Sequence, residues 1–266
     1  RVHADYSDLP EHLVQALIAT EDERFRSHSG IDFRALARAV VNMGRNGGGS
    51  TITQQMAKQM FHGVAHTGNL QRITQKLKEW IIAIQLEQRY SKDEIIALYF
   101  NKFDFLYQGV GVANASKIYF SKDVSDLNVL ESAVLVGMFK NPSLYNPARA
   151  KYADRVLQRR NTVIRQMQRN DYLSQSEADS LVTMPIALRF NRQGHDQGMA
   201  PYLREHVRSE MKLWASSHRK PDGSKYNIYT DGLVIYTSID SRMQRAAESA
   251  MTAHMSSLQN VFFKQV

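Results

Sequence analysis

From Pro10 to Pro185 the chain is punctuated as one helix after another, which excludes most folds built on a sheet. Pro10 suits a first helical turn, and the apolar run Leu13, Val14, Ala16, Leu17, Ile18 and Ala19 follows with no glycine or proline to break it. Asp32 is placed to cap a second helix through Met43, with Gly44 to stop it. Ser50 or Thr51 can cap a third, to near Phe61, and the glycine-bearing stretch 62–68 is expected to be a mobile loop. A long helix is predicted over 70–90, with Ile73, Leu77, Trp80, Ile81 and Ile84 on its buried face. Ser91 with Glu94, and Ser174 with Glu177, form capping boxes that open two more helices. Between them come a loop at 104–110, a helix ending at Phe120, an apolar helix over 127–139, two Asn-Pro turns and a basic helix over 151–169.

Near Pro185 the pattern changes. Residues 186–190 read as a strand, 191–200 as a polar linker and 200–217 as a helix. Thr230-Asp231-Gly232, between apolar segments 226–229 and 233–238, signals a hairpin, and Asp240 caps a last helix. The expected fold class is therefore mainly α, a helical domain over 1–185 followed by a small α+β part over 186–266. Opening at Arg1 without a signal peptide, the sequence reads as a piece of something longer.

Composition narrows the chemistry. Hydrophobic residues make up 43% and charged residues 23%, a globular balance. The net charge of +8 suits a phosphate-rich partner, whether nucleic acid, an anionic membrane surface or a pyrophosphate. The absence of cysteine excludes disulfides, thiol catalysis and thiolate metal sites. Apolar runs such as 133–139 fall far short of the roughly 20 residues that span a bilayer.

Three stretches carry chemistry. If the first helix continues, Glu21, Phe25 and His28 share one stripe with Asp22 beside it, and Gly30 ends the helix in a left-handed turn. Taken alone, that stretch could equally be an amphipathic helix with a charged end. In the second, glycines 47–49 run into a helix N-terminus, an arrangement that suits phosphate, although no Walker A lysine follows. Ser50, Thr51, Gln54, Gln55 and Lys58 make its surface rich in donors, with a solvated polar face as the plainer reading. In the third, Lys76 and Glu79 sit at i, i+3, which taken alone is the spacing of a surface ion pair.

Together these stretches, with Leu98-Tyr99-Phe100-Asn101 and Asn141-Pro142-Ser143 behind them, resemble the peptidoglycan glycosyltransferases, the lysozyme-like glycan-polymerising domain of bifunctional class A penicillin-binding proteins. The resemblance covers residues 8–185, and residues 195–266 look like the link into a transpeptidase. It implies that lipid-linked disaccharide-peptide is polymerised with inversion and release of polyprenyl diphosphate. Glu21 matches the catalytic base and Glu79 the second carboxylate; Asp22, Phe25, His28, Thr51, Gln55, Lys58 and Lys76 match residues lining the substrate sites. Gln71 and Gln75 stand where the family usually has arginines, so Arg72 is expected to take up part of the diphosphate load, and Leu106 replaces a usual glycine. No cofactor is required, though a divalent cation (Mg or Mn) could share the diphosphate. The implied partners are the precursor, the membrane surface and a transpeptidase domain outside this chain, not nucleic acid; the place is the periplasmic face of the inner membrane. Ser209-Glu210-Met211-Lys212 fits S-x-x-K only by chance, because the other transpeptidase elements do not follow. The rivals are a lysozyme-like hydrolase using the same carboxylates and a non-catalytic module for anionic surfaces.

Overall fold

A computed structural model describes residues 3–41, 49–60, 69–191, 199–229 and 231–265, apart from the side chains of 39–41, 69–73, 260, 261, 264 and 265. The chain forms two compact units, Arg1–Arg192 and Gln193–Val266.

The first unit is helical. Its elements are α1 (Glu11–Glu21), α2 (Phe33–Val41), α3 (Ile52–Met60), α4 (Asn69–Arg89), α5 (Lys92–Lys102), α6 (Val112–Phe120), α7 (Val129–Met138), α8 (Ala153–Arg169) and α9 (Gln175–Thr183). The apolar run Ala133–Met138 makes α7 the centre of the core, because it is buried on every side. It packs against α8 and α1, whose Leu13, Ala16 and Leu17 have no exposed surface. The cap signals work as read. Ser91 and Glu94 bond reciprocally at the start of α5, Ser174 and Glu177 do so at α9, and Asp32 Oδ1 accepts from the amides of Arg34 and Ala35 at α2. Residues 42–48 and 61–68, on which the expected end of α2 and the mobile loop fall, lie outside the described residues.

Two expectations are overturned here. Helix α1 does not continue into 25–28: it ends at Glu21, Asp22 turns away with φ −161°, and a separate 3-10 turn, Phe25–Ser27, follows. The cause is tertiary. Asp22 is needed elsewhere as an acceptor, and its carboxylate takes the Ile52 amide at 3.0 Å. On α4, the residues turned inward are Glu79, Ala83 and Leu86, while Leu77, Ile81 and Ile84 stand 50, 57 and 39% exposed. A Cβ on Gly30, which has φ +91°, would lie 2.9 Å from the Ala83 carbonyl carbon and oxygen, so the Gly30 turn lies directly against the α4 backbone.

The expected strand over 186–190 is an irregular segment lying along α6. The Arg189 and Asn191 amides donate to the Tyr119 and Ile118 carbonyls at 3.0 and 2.7 Å. Phe190 packs edge-on to Tyr107 at 5.1 Å, so this segment belongs to the first unit.

The second unit has α10 (Pro201–Ser217) and α11 (Ser241–Gln265). The expected hairpin at 230–232 has no strand ladder among the described residues, which correct the α+β reading of this part to helices joined by irregular chain. Asp231 is instead engaged by the Asn227 amide at 2.7 Å and Lys220 at 2.8 Å. Val234 and Tyr236 are left 74 and 92% exposed with no sheet to pack on, and an isolated two-stranded hairpin is marginal in water.

Candidate active site

The residues between α1 and α2 form a scaffold around the start of α3. Asp22 accepts from His28 Nε2 at 3.0 Å as well as from the Ile52 amide, and Thr51 Oγ1 donates to the Gly30 carbonyl at 2.7 Å. The same hydroxyl accepts from the Gln54 amide at 3.1 Å and so caps α3. Lys92 Nζ closes the scaffold from below. It donates to the His28 carbonyl at 2.6 Å and to Glu87 at 2.7 Å, and lies 4.3 Å over the Phe25 ring. Phe25 has no exposed surface, and neither it nor His28 lines a cavity in this region. Both were expected to line a substrate site; in the structure they pack within the scaffold that holds the start of α3.

Above this scaffold, Glu21 is fixed on both oxygens. Gln55 Nε2 donates to its Oε2 at 3.0 Å, and Arg159 Nη2 lies 3.5 Å from its Oε1. Tyr99 donates to Gln55 Oε1 at 2.7 Å. A carboxylate only accepts, so Gln55 must offer it nitrogen, and the Gln55 oxygen must then be met by a donor. The phenol is kept in its donating form, since burial and the negative charge of Glu21 push its pKa well above the ordinary value. Tyr99→Phe leaves the Gln55 carbonyl without its partner, and we expect a loss of about 1 to 3 kcal/mol in chemical denaturation. An unchanged midpoint would show that the amide is oriented by other contacts.

Glu79 is the counterpart on α4. It is buried, and it accepts from Lys76 Nζ at 3.1 Å and from Gln75 Nε2 at 3.3 Å. Lys76 also donates to Ser50 Oγ at 2.8 Å, tying α4 to the start of α3. Gln75 thus has a role of its own, as a neutral donor to the second carboxylate.

Two cavities open onto these groups. The larger, about 860 Å³, is lined by Ser50, Gln54, Gln55, Lys58, Lys76 and Glu79 together with Gln59, Gln75, Lys102, Phe103, Asp104 and Phe139. The smaller, about 400 Å³, opens beside Glu21 and Asp22 and is lined also by Thr51, Gln166 and Arg169. Ser50 and Gln55 border both. The two carboxylates accordingly face different chambers on either side of the α3 N-terminus. The Arg72 side chain lies outside the described residues, so its expected role has no geometry here. Among the described residues no three His, Asp or Glu side chains are disposed to hold a metal ion.

Arg159 is the residue that sequence reasoning missed. It stands in the basic helix α8 among other arginines, and only the packing of α8 on α1 and α7 singles it out. Its half-buried side chain also reaches the Gly137 carbonyl at 3.4 Å.

The family model described as Transglycosylase matches residues 1–168. Penicillin-binding protein 1A of Escherichia coli (strain K12) is 37% identical over 257 residues, covering 94% of this chain and 28% of that protein. Penicillin-binding protein 2D of Bacillus subtilis (strain 168) is 33% identical over 251 residues, covering 92% of this chain and 34% of that protein. A crystal structure of Penicillin-Binding Protein 1A from Haemophilus influenzae aligns over 94% of this chain and 25% of that one, with a TM-score of 0.46 and 24% identity. The chain thus spans only 28 to 34% of the length of the two curated relatives.

Proposed function

Because the chain belongs to the transglycosylase family, we propose that its first unit is a peptidoglycan glycosyltransferase that joins lipid-linked disaccharide-peptides into glycan strands. The observation that carries this reading is the division of the site by the α3 N-terminus. A carboxylate held by an amide and a guanidinium faces one chamber, and a cluster of Lys76, Ser50 and Glu79 faces the other.

In this reading the acceptor sugar enters the smaller chamber and the donor's diphosphate lies in the larger. Glu21 takes the proton of the acceptor hydroxyl as its oxygen bonds to the donor's anomeric carbon. The bond from that carbon to the diphosphate breaks on the opposite face, which inverts the centre. Charge then grows on the leaving oxygens, where Lys76 and Lys58 line the cavity. Glu79 holds Lys76 in place. The test uses the chain as it is. Incubated with lipid-linked precursor in detergent, it should release polyprenyl diphosphate and lengthen strands. Solubilised fragments from finished glycan, with no strand growth, would overturn the reading in favour of a hydrolase.

Lys76→Ala removes the donor to both Ser50 and Glu79 from a side chain that is 39% exposed, so folding should survive. Turnover of precursor should fall by on the order of 10², as for loss of one preorganised electrostatic group. Wild-type turnover with wild-type melting would remove Lys76 from the diphosphate site; Lys58→Ala is read the same way.

The same reading places the enzyme at the periplasmic face of the inner membrane, with an anchor and a transpeptidase domain outside these residues. No helix among the described residues is long and apolar enough to cross a membrane. What supports a membrane contact is the exposed stripe Leu77, Ile81 and Ile84 on the helix that carries Lys76 and Glu79, with Met60 48% exposed at the end of α3. Leu77→Gln with Ile81→Gln should then abolish flotation of the chain with anionic liposomes. Flotation equal to the parent's would show that the stripe is not the contact.

A further inference from the structure

One wall of the larger cleft is used by neither carboxylate nor lysine. Lys102, Phe103 and Asp104 line it where α5 ends, and Phe139 lines it just after α7. The two rings are half-buried, 4.4 Å apart between centroids and inclined at 57°. Tyr99 backs Phe139 at 4.8 Å, and Phe105 backs Phe103 at 4.8 Å, so the pair cannot turn freely. The loop that follows is closed by the Phe105 amide donating to the Gly109 carbonyl at 3.0 Å. It holds Leu106, Tyr107 and Gln108 at φ 68°, 50° and 66°, a succession costly for residues with a Cβ. A rigid aromatic surface is thus maintained against local strain at the edge of a polar cleft.

Its surroundings are those of a carbohydrate subsite. Lys102 and Asp104, both exposed, put a donor and an acceptor on either side of Phe103. Gln59 lines the same cleft. A pyranose ring presents an apolar C–H face, which suits the negative face of a π system, and a rim of hydroxyls.

We propose that Phe103 and Phe139 are positioning residues that form a stacking platform for a pyranose ring of the glycan in the larger cleft. The inference rests on the reading of this cleft as the donor side. The platform holds a sugar away from the reacting bond, so its loss weakens binding and leaves the chemical step intact.

The experiment titrates the whole chain with a soluble tetramer of N-acetylglucosamine. Phe103→Leu and Phe139→Leu keep apolar volume and lose the π face; each should raise Kd about tenfold, equivalent to 1.4 kcal/mol. Phe103→Tyr should restore binding. In polymerisation assays both leucine variants should raise KM with kcat unchanged. Saturation-transfer NMR on the unaltered chain needs no variant: irradiating aromatic protons should transfer to sugar ring C–H protons. No transfer, no binding of the tetramer by the parent, or parental Kd and KM in both leucine variants would each overturn the platform. A parent that binds the tetramer on these rings yet fails to polymerise precursor would instead refute the glycosyltransferase reading and leave the platform standing.

Discussion

Glu21→Gln should abolish strand growth on lipid-linked precursor while the chain still folds. The substitution keeps the size of the side chain and replaces one oxygen by an amide nitrogen. What goes is the proton acceptor, and losing a general base typically costs about 10² to 10⁴ in rate. The surroundings predict a modest structural effect as well. Gln55 and Arg159 now each meet a carboxylate oxygen, and an amide leaves one of them facing a donor. A charge-assisted hydrogen bond contributes about 1.5 to 3 kcal/mol, so the melting temperature should fall by some degrees without loss of cooperativity. Glu79→Gln should cost less in rate, because Glu79 bonds Lys76 and Gln75 and, in the proposed mechanism, takes no proton. Its effect should appear partly in KM. Comparing the two variants on precursor, with melts alongside, separates base from support. Near-parental polymerisation by Glu21→Gln would remove it from the reaction and leave it as a helix end.

Gly30→Ala should be the most damaging single change to the first unit outside Glu21 and Glu79. The residue has φ +91°, a conformation that costs a residue with a Cβ about 1 to 2 kcal/mol. The new Cβ would also press on backbone, at 2.9 Å from Ala83 C and O and 3.1 Å from the Ile84 nitrogen. No side-chain rotation relieves that contact. Either α4 moves or the Gly30 turn opens, and overpacking of this kind costs about 1 to 3 kcal/mol more. Both outcomes disturb the site, because α4 carries Lys76 and Glu79 while the Gly30 carbonyl holds Thr51. A denaturation midpoint shift worth about 2 to 5 kcal/mol is expected, with turnover reduced at temperatures where the chain is still folded. Parental stability would mean that the turn can relax without moving α4.

Much of the fold is legible because its signals are local. The serine and aspartate caps and the apolar run of α7 need only neighbours in sequence, and they stand where they were read. The failures share a cause as well. Asp22 looks like one more residue of α1 until its carboxylate is claimed by an amide thirty positions on. The stripe Leu77, Ile81 and Ile84 looks like a buried face, yet the structure turns Glu79, Ala83 and Leu86 inward and sets the Gly30 turn against the backbone of Ala83. The site divides the same way. The chemical identities of Glu21, Gln55, Lys76 and Glu79 are plain in the sequence, but which chamber each faces depends on how α3 enters. Arg159 carries no mark at all, since α8 is rich in arginine and selection comes only from packing. The hairpin signal at 230–232 was sound as turn chemistry, and the side chain of Asp231 spent it on a different turn.

Ser50 and Gln55 border both chambers, so the partition between them is only as thick as two side chains. A molecule that draws either side chain toward itself changes the surface met by a molecule on the other side. No backbone movement is needed for the two occupants to influence one another. Thermodynamic linkage makes that influence mutual: whatever factor one occupant imposes on the affinity of the second, the second imposes on the first. An occupant of one chamber that draws Gln55 away from Glu21 or Tyr99 would be felt in the other, in a sense set by which way Gln55 moves.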